Sequence, residues 1–162
     1  MKRKKQFAII RCTGSAALSR PDGGAGACAF GCFGCGACVA ACPERAITLS
    51  AEAPAGVNRT LCIGCGECVK VCPQQIIELV PAENTIQPLC SSAANAKETK
   101  AACDAGCIGC RICARVCPAG AIRVENGHAV IRQDLCIACG MCAVNWPRGV
   151  IRDATGIFTA KL

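Results

Sequence analysis

The chain has 162 residues, of which 19 are cysteine, with only 3% aromatic residues and a formal net charge of +7. Each half is too small and too poor in large side chains to be held by hydrophobic burial alone, so disulfides or metals must help fill the interior. A secreted disulfide framework is not expected: the apolar stretch after Lys2, Arg3, Lys4 and Lys5 covers only residues 7–10, the cysteine count is odd, and no run of about 18 apolar residues marks a membrane span. A reducing cytoplasm suits such a composition better.

In chain order, residues 7–11 read as a strand leading to Cys12. Cys28 precedes a first cysteine unit of Cys32, Cys35, Cys38, Cys42 and Pro43, with a helical turn through 38–42 and an apolar pair at Ala46 and Ile47. An alternating stretch at 57–61 leads into a second unit, Cys62, Cys65, Cys68, Cys72 and Pro73, followed by Ile76 and Ile77. Residues 81–102 contain Pro, Ser, Asn and Lys and read as a connector with one strand at 85–89. Cys103 then precedes the third unit, Cys107, Cys110, Cys113, Cys117 and Pro118, with Ala121 and Ile122 behind it. A second alternating stretch at 129–135 opens the fourth unit, Cys136, Cys139, Cys142, Trp146 and Pro147, before Val150 and Ile151.

The chain is a duplication. Residues 8–12 correspond to 86–90, 28–35 to 103–110 and 62–65 to 136–139, at offsets of 78, 75 and 74 residues. The expected division is a basic arm and strand at 1–27, a first module at 28–84, a connector at 85–102 and a second module at 103–162. The expected fold class is α+β: two tandem ferredoxin-like 2[4Fe–4S] modules in which short β-hairpins and one- or two-turn helices wrap the cofactors.

Units one to three read C-x2-C-x2-C-x3-C-P, the bacterial ferredoxin run in which the fourth cysteine ligates the other cluster of a pair. Three closely spaced thiolates wrap three corners of a cubane, and the proline turns the chain so that the next cysteine reaches the neighbour. Cluster one then takes Cys32, Cys35, Cys38 and Cys72. Cluster two takes Cys62, Cys65, Cys68 and Cys42, and cluster four takes Cys136, Cys139, Cys142 and Cys117. Structural zinc also uses C-x2-C pairs, but it joins two couplets across a longer gap rather than packing four cysteines into one short run.

Trp146 stands where the fourth cysteine of the last unit belongs, and by the crossing rule the missing ligand is that of cluster three, which keeps Cys107, Cys110 and Cys113. Three outcomes are open: a [3Fe–4S] cluster or a cubane with a non-cysteine ligand, rescue by Cys103, or no cluster there. Cys12, Cys28, Cys90 and Cys103 lie outside the units, either as packed thiols or as pairs, Cys12 with Cys28 and Cys90 with Cys103. His128, the only histidine, reads as a solvated turn residue. The positive charge is offset once clusters are counted: three all-cysteine cubanes and one three-thiolate site bring the holo-protein to about zero. With no aromatic stacking platform beside the charge, nucleic-acid binding is not expected. No paired carboxylates, phosphate loop, flavin motif or nucleophile constellation is present, so the chain is not expected to be an enzyme by itself. The expected function is relay of single electrons through about four clusters. The alternatives are reduction of a small molecule at an open-coordination cluster beside Trp146, and a structural zinc protein.

The segments Ala8-Ile9-Ile10-Arg11-Cys12, Cys28-x3-Cys32, Ile76-Ile77-Glu78-Leu79-Val80-Pro81, Cys90-Ser91-Ser92 and Lys100 through Cys110 together resemble the B subunit of the Rnf electron-transport complex, in its C-terminal polyferredoxin region from anaerobic bacteria. The resemblance spans about 8–151. It implies a relay role within a larger redox complex, the fifteen unit cysteines as ligands, and redox proteins such as ferredoxin, a flavoprotein or oxidoreductase subunits as partners. It also implies a cytoplasmic location, at the inner face of the membrane through those partners. Against the family pattern, the stretch between Cys12 and Cys28 is short, Trp146 removes a ligand, and no upstream membrane helix or separate iron–sulfur domain is expected. A stand-alone relative serving another redox enzyme is equally implied.

Overall fold

The computed structural model describes residues 5–14, 28–50 and 53–154. Lys2, Arg3, Lys4 and most of the short stretch between Cys12 and Cys28 lie outside the described residues. Eight short strands and five short helices follow one another: β1 (Gln6–Ile10), α1 (Ala37–Ala41), β2 (Ile47–Thr48), β3 (Gly56–Val57), α2 (Glu67–Val71), β4 (Ile77–Pro81), β5 (Ile86–Pro88), α3 (Ala96–Ala102), α4 (Ile112–Val116), β6 (Ile122–Glu125), β7 (His128–Ile131), α5 (Met141–Val144) and β8 (Ile151–Asp153). This is a small mixed α/β architecture of short helices and two-stranded antiparallel pairs.

The sequence repeat is a structural repeat. In each half the first strand pairs with the last: β1 with β4, from Gln6 opposite Pro81 to Ile10 opposite Ile77, and β5 with β8, from Ile86 opposite Asp153 to Pro88 opposite Ile151. One further bond lengthens each pair, Arg11 N–H to the Ile76 carbonyl and Leu89 N–H to the Val150 carbonyl. Between these strands lie a small pair (β2–β3, β6–β7) and two facing helices (α1–α2, α4–α5). Strands 6–10 and 86–88 are therefore hydrogen-bonded into the halves that follow them.

Each unit helix is started and stopped by backbone geometry. The residue before α1, α2, α4 and α5 is left-handed: Gly36, Gly66, Arg111 (φ 62°) and Gly140. Three of the four are glycine because that region costs a residue with a Cβ free energy. Cys42, Cys72 and Cys117 end their helices in extended conformation, ψ 111°, 113° and 109°, because a following proline disfavours helix in the residue before it. The fourth helix ends at Asn145, whose side-chain N–H donates to the Met141 carbonyl, which leaves Trp146 in the pre-proline place.

Two strands are shorter than the alternation implied. The run at 57–61 is strand only to Val57, because Asn58 starts a turn: its carbonyl accepts from the Leu61 and Cys62 N–H groups, and its Oδ1 accepts from Thr60 N–H at 2.9 Å. The run at 129–135 is strand only to Ile131, because the Arg132 carbonyl accepts from the Leu135 and Cys136 N–H groups. The supposed connector holds a helix. In α3 the Asn95 side chain accepts from Glu98 N–H while the Glu98 carboxylate accepts from Asn95 N–H, a reciprocal capping box.

The core consists of two clusters, one per half, and cysteine is a large share of each. Cys38 and Cys68 pack with Ala8, Ile10, Ile47, Ile76 and Ile77; Cys107, Cys113 and Cys142 pack with Ile86, Trp146, Val150 and Ile151. Thiols thus stand where a larger domain would carry leucine and phenylalanine.

Candidate metal centres

The helices aim the third cysteine of each unit inward. Cys38, Cys68, Cys113 and Cys142 are all buried. Around them the remaining cysteines gather in sets that cross between units. One cavity is lined by Cys32, Cys35, Cys38 and Cys72, with Ile10, Leu49 and Ile76. Another is lined by Cys42, Cys62, Cys65 and Cys68, with Ala8, Ile47 and Leu79. In the second half, Cys142 lies within electrostatic reach of Cys136 and of Cys117 from the preceding unit, and Cys113 of Cys107, Cys110 and Cys142.

Burial, followed by the charges of neighbouring thiolates, pushes the innermost thiols up. Cys113 is raised to about 12, by burial first and Cys107 next. Cys142 is raised to about 11, by burial above all, with Cys136 and Cys117 adding to it. Cys38 and Cys68 move the same way, again by burial, with Cys32 and Cys35 or Cys62 and Cys65 adding to it. Thiols crowded this way need a cation among them to ionise, and a coordinating metal deprotonates a thiol outright. Backbone donors are already in place: Cys42 Sγ accepts from Ala46 N–H and Cys117 Sγ from Ala121 N–H, each at 3.3 Å, and Cys62 Sγ accepts from Ala8 N–H at 3.5 Å. Such bonds stabilise thiolates and tune the potentials of iron–sulfur clusters. Among the described residues no three His, Cys, Asp or Glu side chains form a single-ion site. The cysteines are instead spread around spaces, as a multi-iron core requires.

Residues 31–76 match a family described as 4Fe-4S dicluster domain, and residues 106–151 match a second family of the same description. The chain carries two 4Fe-4S dicluster domains. Two dicluster domains provide for four iron–sulfur clusters. The dicluster chain is also an RnfB-like ferredoxin region. It is 36% identical over 148 residues to the B subunit of the ion-translocating oxidoreductase complex of Methanosarcina acetivorans, covering 81% of this chain and 56% of that protein. It is 44% identical over 114 residues to the B subunit of the proton-translocating ferredoxin:NAD(+) oxidoreductase complex of Clostridium ljungdahlii, covering 70% of this chain and 40% of that one. The chain spans about half the length of these relatives. Among solved structures, a chain of the formate dehydrogenase–heterodisulfide reductase–formylmethanofuran dehydrogenase complex from Methanospirillum hungatei is 22% identical, covering 74% of this chain and 51% of that one, with a TM-score of 0.28. Among the described residues no helix is long and apolar enough to cross a membrane.

Trp146, in the place of the absent ligand, is 2% exposed and its indole N–H has no protein acceptor. His128 stands at the start of β7, just after the turn, half-buried with its Nδ1 3.1 Å from the Ser92 carbonyl. The four cysteines outside the units hold the largest surprise. Cys12, Cys28, Cys90 and Cys103 line a single cavity, so the extra cysteines of the two halves come together in one place. Their equivalence was readable from the repeat, but sequence spacing carries no information on how the halves meet.

Proposed function

We propose that the chain is an electron-relay part of a larger redox assembly, an α+β pair of ferredoxin-like modules whose division follows the sequence reading, with β1 and β5 joined to the modules they open. The carrying observation is that the two first-half cavities are each lined by three cysteines of one unit and the fourth of the other. On this reading Cys32, Cys35, Cys38 and Cys72 hold cluster one, and Cys62, Cys65, Cys68 and Cys42 hold cluster two. Cys136, Cys139, Cys142 and Cys117 hold cluster four. Cys107, Cys110 and Cys113 hold cluster three, as [3Fe–4S] or with a non-cysteine fourth ligand. When bound, the clusters supply one-electron redox chemistry with no bond made or broken in a substrate.

The protein's own contribution is to position, neutralise and insulate. Buried Cys38, Cys68, Cys113 and Cys142 fix the inner corners, and backbone N–H groups donate to the sulfurs. Cys35 and Cys65 are exposed, so electrons have a short route to a docked partner in the first half. We place those partners among ferredoxin, flavoprotein or oxidoreductase subunits, and the chain in the cytoplasm, docked through them at a membrane complex. Reduction of a small molecule at cluster three is disfavoured, because Cys107, Cys113 and Trp146 are all buried in the core of the second half. The orphaned indole N–H fits a cluster sulfur as its acceptor. Anaerobic coulometric titration tests the relay: about one electron per cluster should enter and leave reversibly, and a chain that takes up none would sink the reading.

A further inference from the structure

We infer that Cys12, Cys28, Cys90 and Cys103 form a four-thiolate site for a fifth iron–sulfur cluster, bridging the two halves of the chain.

The site is built with the same twofold logic as the repeat. Cys12 lies two residues beyond β1 and Cys90 two residues beyond β5, while Cys28 and Cys103 each enter a cysteine unit four residues before its first ligand. Cysteines of both halves thus come to one cavity, and the backbone at Gly14 lies close to Cys103 Sγ. The cavity they share is about 150 Å³ and is lined from both halves.

Its sulfurs are prepared as ligands. Cys90 Sγ accepts an N–H bond from Cys107 at 3.4 Å. Cys12 Sγ, the equivalent sulfur, lies beside the backbone N–H groups of Cys32 and Gly14. A backbone donor on a sulfur serves a thiolate, as at Cys42 and Cys117 in the cluster units. Arg11, which also lines the cavity, leaves its buried Nε–H without a protein acceptor while its Nη2 donates to the Cys90 carbonyl.

The scaffold around the cavity holds it in shape from both halves. Ser91 Oγ donates to the Phe30 carbonyl at 2.9 Å, tying the segment after β5 to the first half. Cys103 is carried at the end of α3, and the loop behind it is braced by Arg148, which donates to the Cys103 and Gly106 carbonyls. A Cβ on Gly106 would stand 2.5 Å from Thr99 Cγ2, so only glycine lets this loop close on α3.

Cys32 and Cys107, whose backbone N–H groups lie beside these sulfurs, are themselves in cluster units one and three. The fifth cluster therefore lies between the two modules, where electrons crossing from one to the other would pass. This assignment also gives Cys103 a role other than rescue of cluster three.

Iron, acid-labile sulfide and zinc per chain, measured on the anaerobically purified full chain and on its Cys12→Ala/Cys90→Ala variant, test the site. The variant should lose about four iron and four sulfide while the unit clusters remain. Equal iron in the two proteins would overturn the bridge and leave the carrier reading intact; a difference of one zinc would overturn it as well. Native mass spectrometry of the unmodified protein gives the same answer if the double variant does not fold: cluster mass beyond the four units supports the site, and two disulfides instead overturn it. Cys103→Ala alone should remove the same four irons and leave the EPR signal of cluster three unchanged. A changed signal with at most about one iron lost would assign Cys103 to cluster three instead.

Discussion

Trp146→Phe separates the two things this residue does. Phenylalanine keeps an aromatic ring against Ile86, Val150 and Ile151 in the second core and deletes only the indole N–H and part of the ring area. That N–H is buried and has no acceptor in the protein, and an unmatched buried donor costs about 1–3 kcal/mol. A cluster-three sulfur as acceptor removes the penalty. An added electron makes that sulfur a better acceptor, so the bond favours the reduced state. If reduction strengthens it by about 1 kcal/mol, its loss lowers the cluster potential by roughly 40 mV, since 59 mV is tenfold for one electron. An EPR-monitored redox titration of wild type and variant reads this directly. A potential that stays put, or rises, would refute the argument that the indole donates to the cluster.

Four further outcomes are expected. Cys38→Ala with Cys72→Ala should cost a single cluster, about four iron, whereas Cys38→Ala with Cys42→Ala should cost two, about eight; the reverse order in an iron assay would mean uncrossed ligation. Trp146→Cys should supply the missing thiolate, so that a [3Fe–4S] EPR signal in the wild type gives way to that of a reducible cubane; persistence of the original signal would show that the side chain at 146 does not reach cluster three. Arg111→Gly relieves a left-handed φ of 62° that costs a Cβ-bearing residue about 1–2 kcal/mol, against about 0.4–1 kcal/mol of added unfolded-chain entropy. Its denaturation midpoint should rise by the equivalent of up to about 1 kcal/mol, and a fall would mean that the arginine holds a stabilising contact. Anaerobic removal of iron should abolish the far-UV circular dichroism of the helices, because buried cysteines occupy the core; an unchanged spectrum would show a fold independent of its metal.

Much of the site was legible because ferredoxin ligation is encoded locally. The C-x2-C-x2-C-x3-C-P run fixes helix, cap and exit within one short segment, and Gly36, Gly66 and Gly140 mark the helix starts. The strands at 6–10 and 86–88 were also visible from their apolar runs and their repetition. What failed to show was set by single side chains or by the meeting of distant segments. Asn58 ended a strand that the alternation would have continued. The Asn95–Glu98 capping box did lie in the sequence, three residues apart in a stretch whose Ser, Asn and Lys content reads as loop. That Cys12, Cys28, Cys90 and Cys103 share one cavity depends on how the halves pack, and spacing along the chain does not contain it.

The central claim is that this chain is built around iron–sulfur clusters, and its most direct test is iron, sulfide and zinc per chain after anaerobic purification. Iron and acid-labile sulfide should be present in nearly equal amounts, about 16 of each from the four units and about four more from the bridging site, with iron one lower if cluster three is [3Fe–4S]. Zinc in place of iron, or iron without sulfide, would contradict the account.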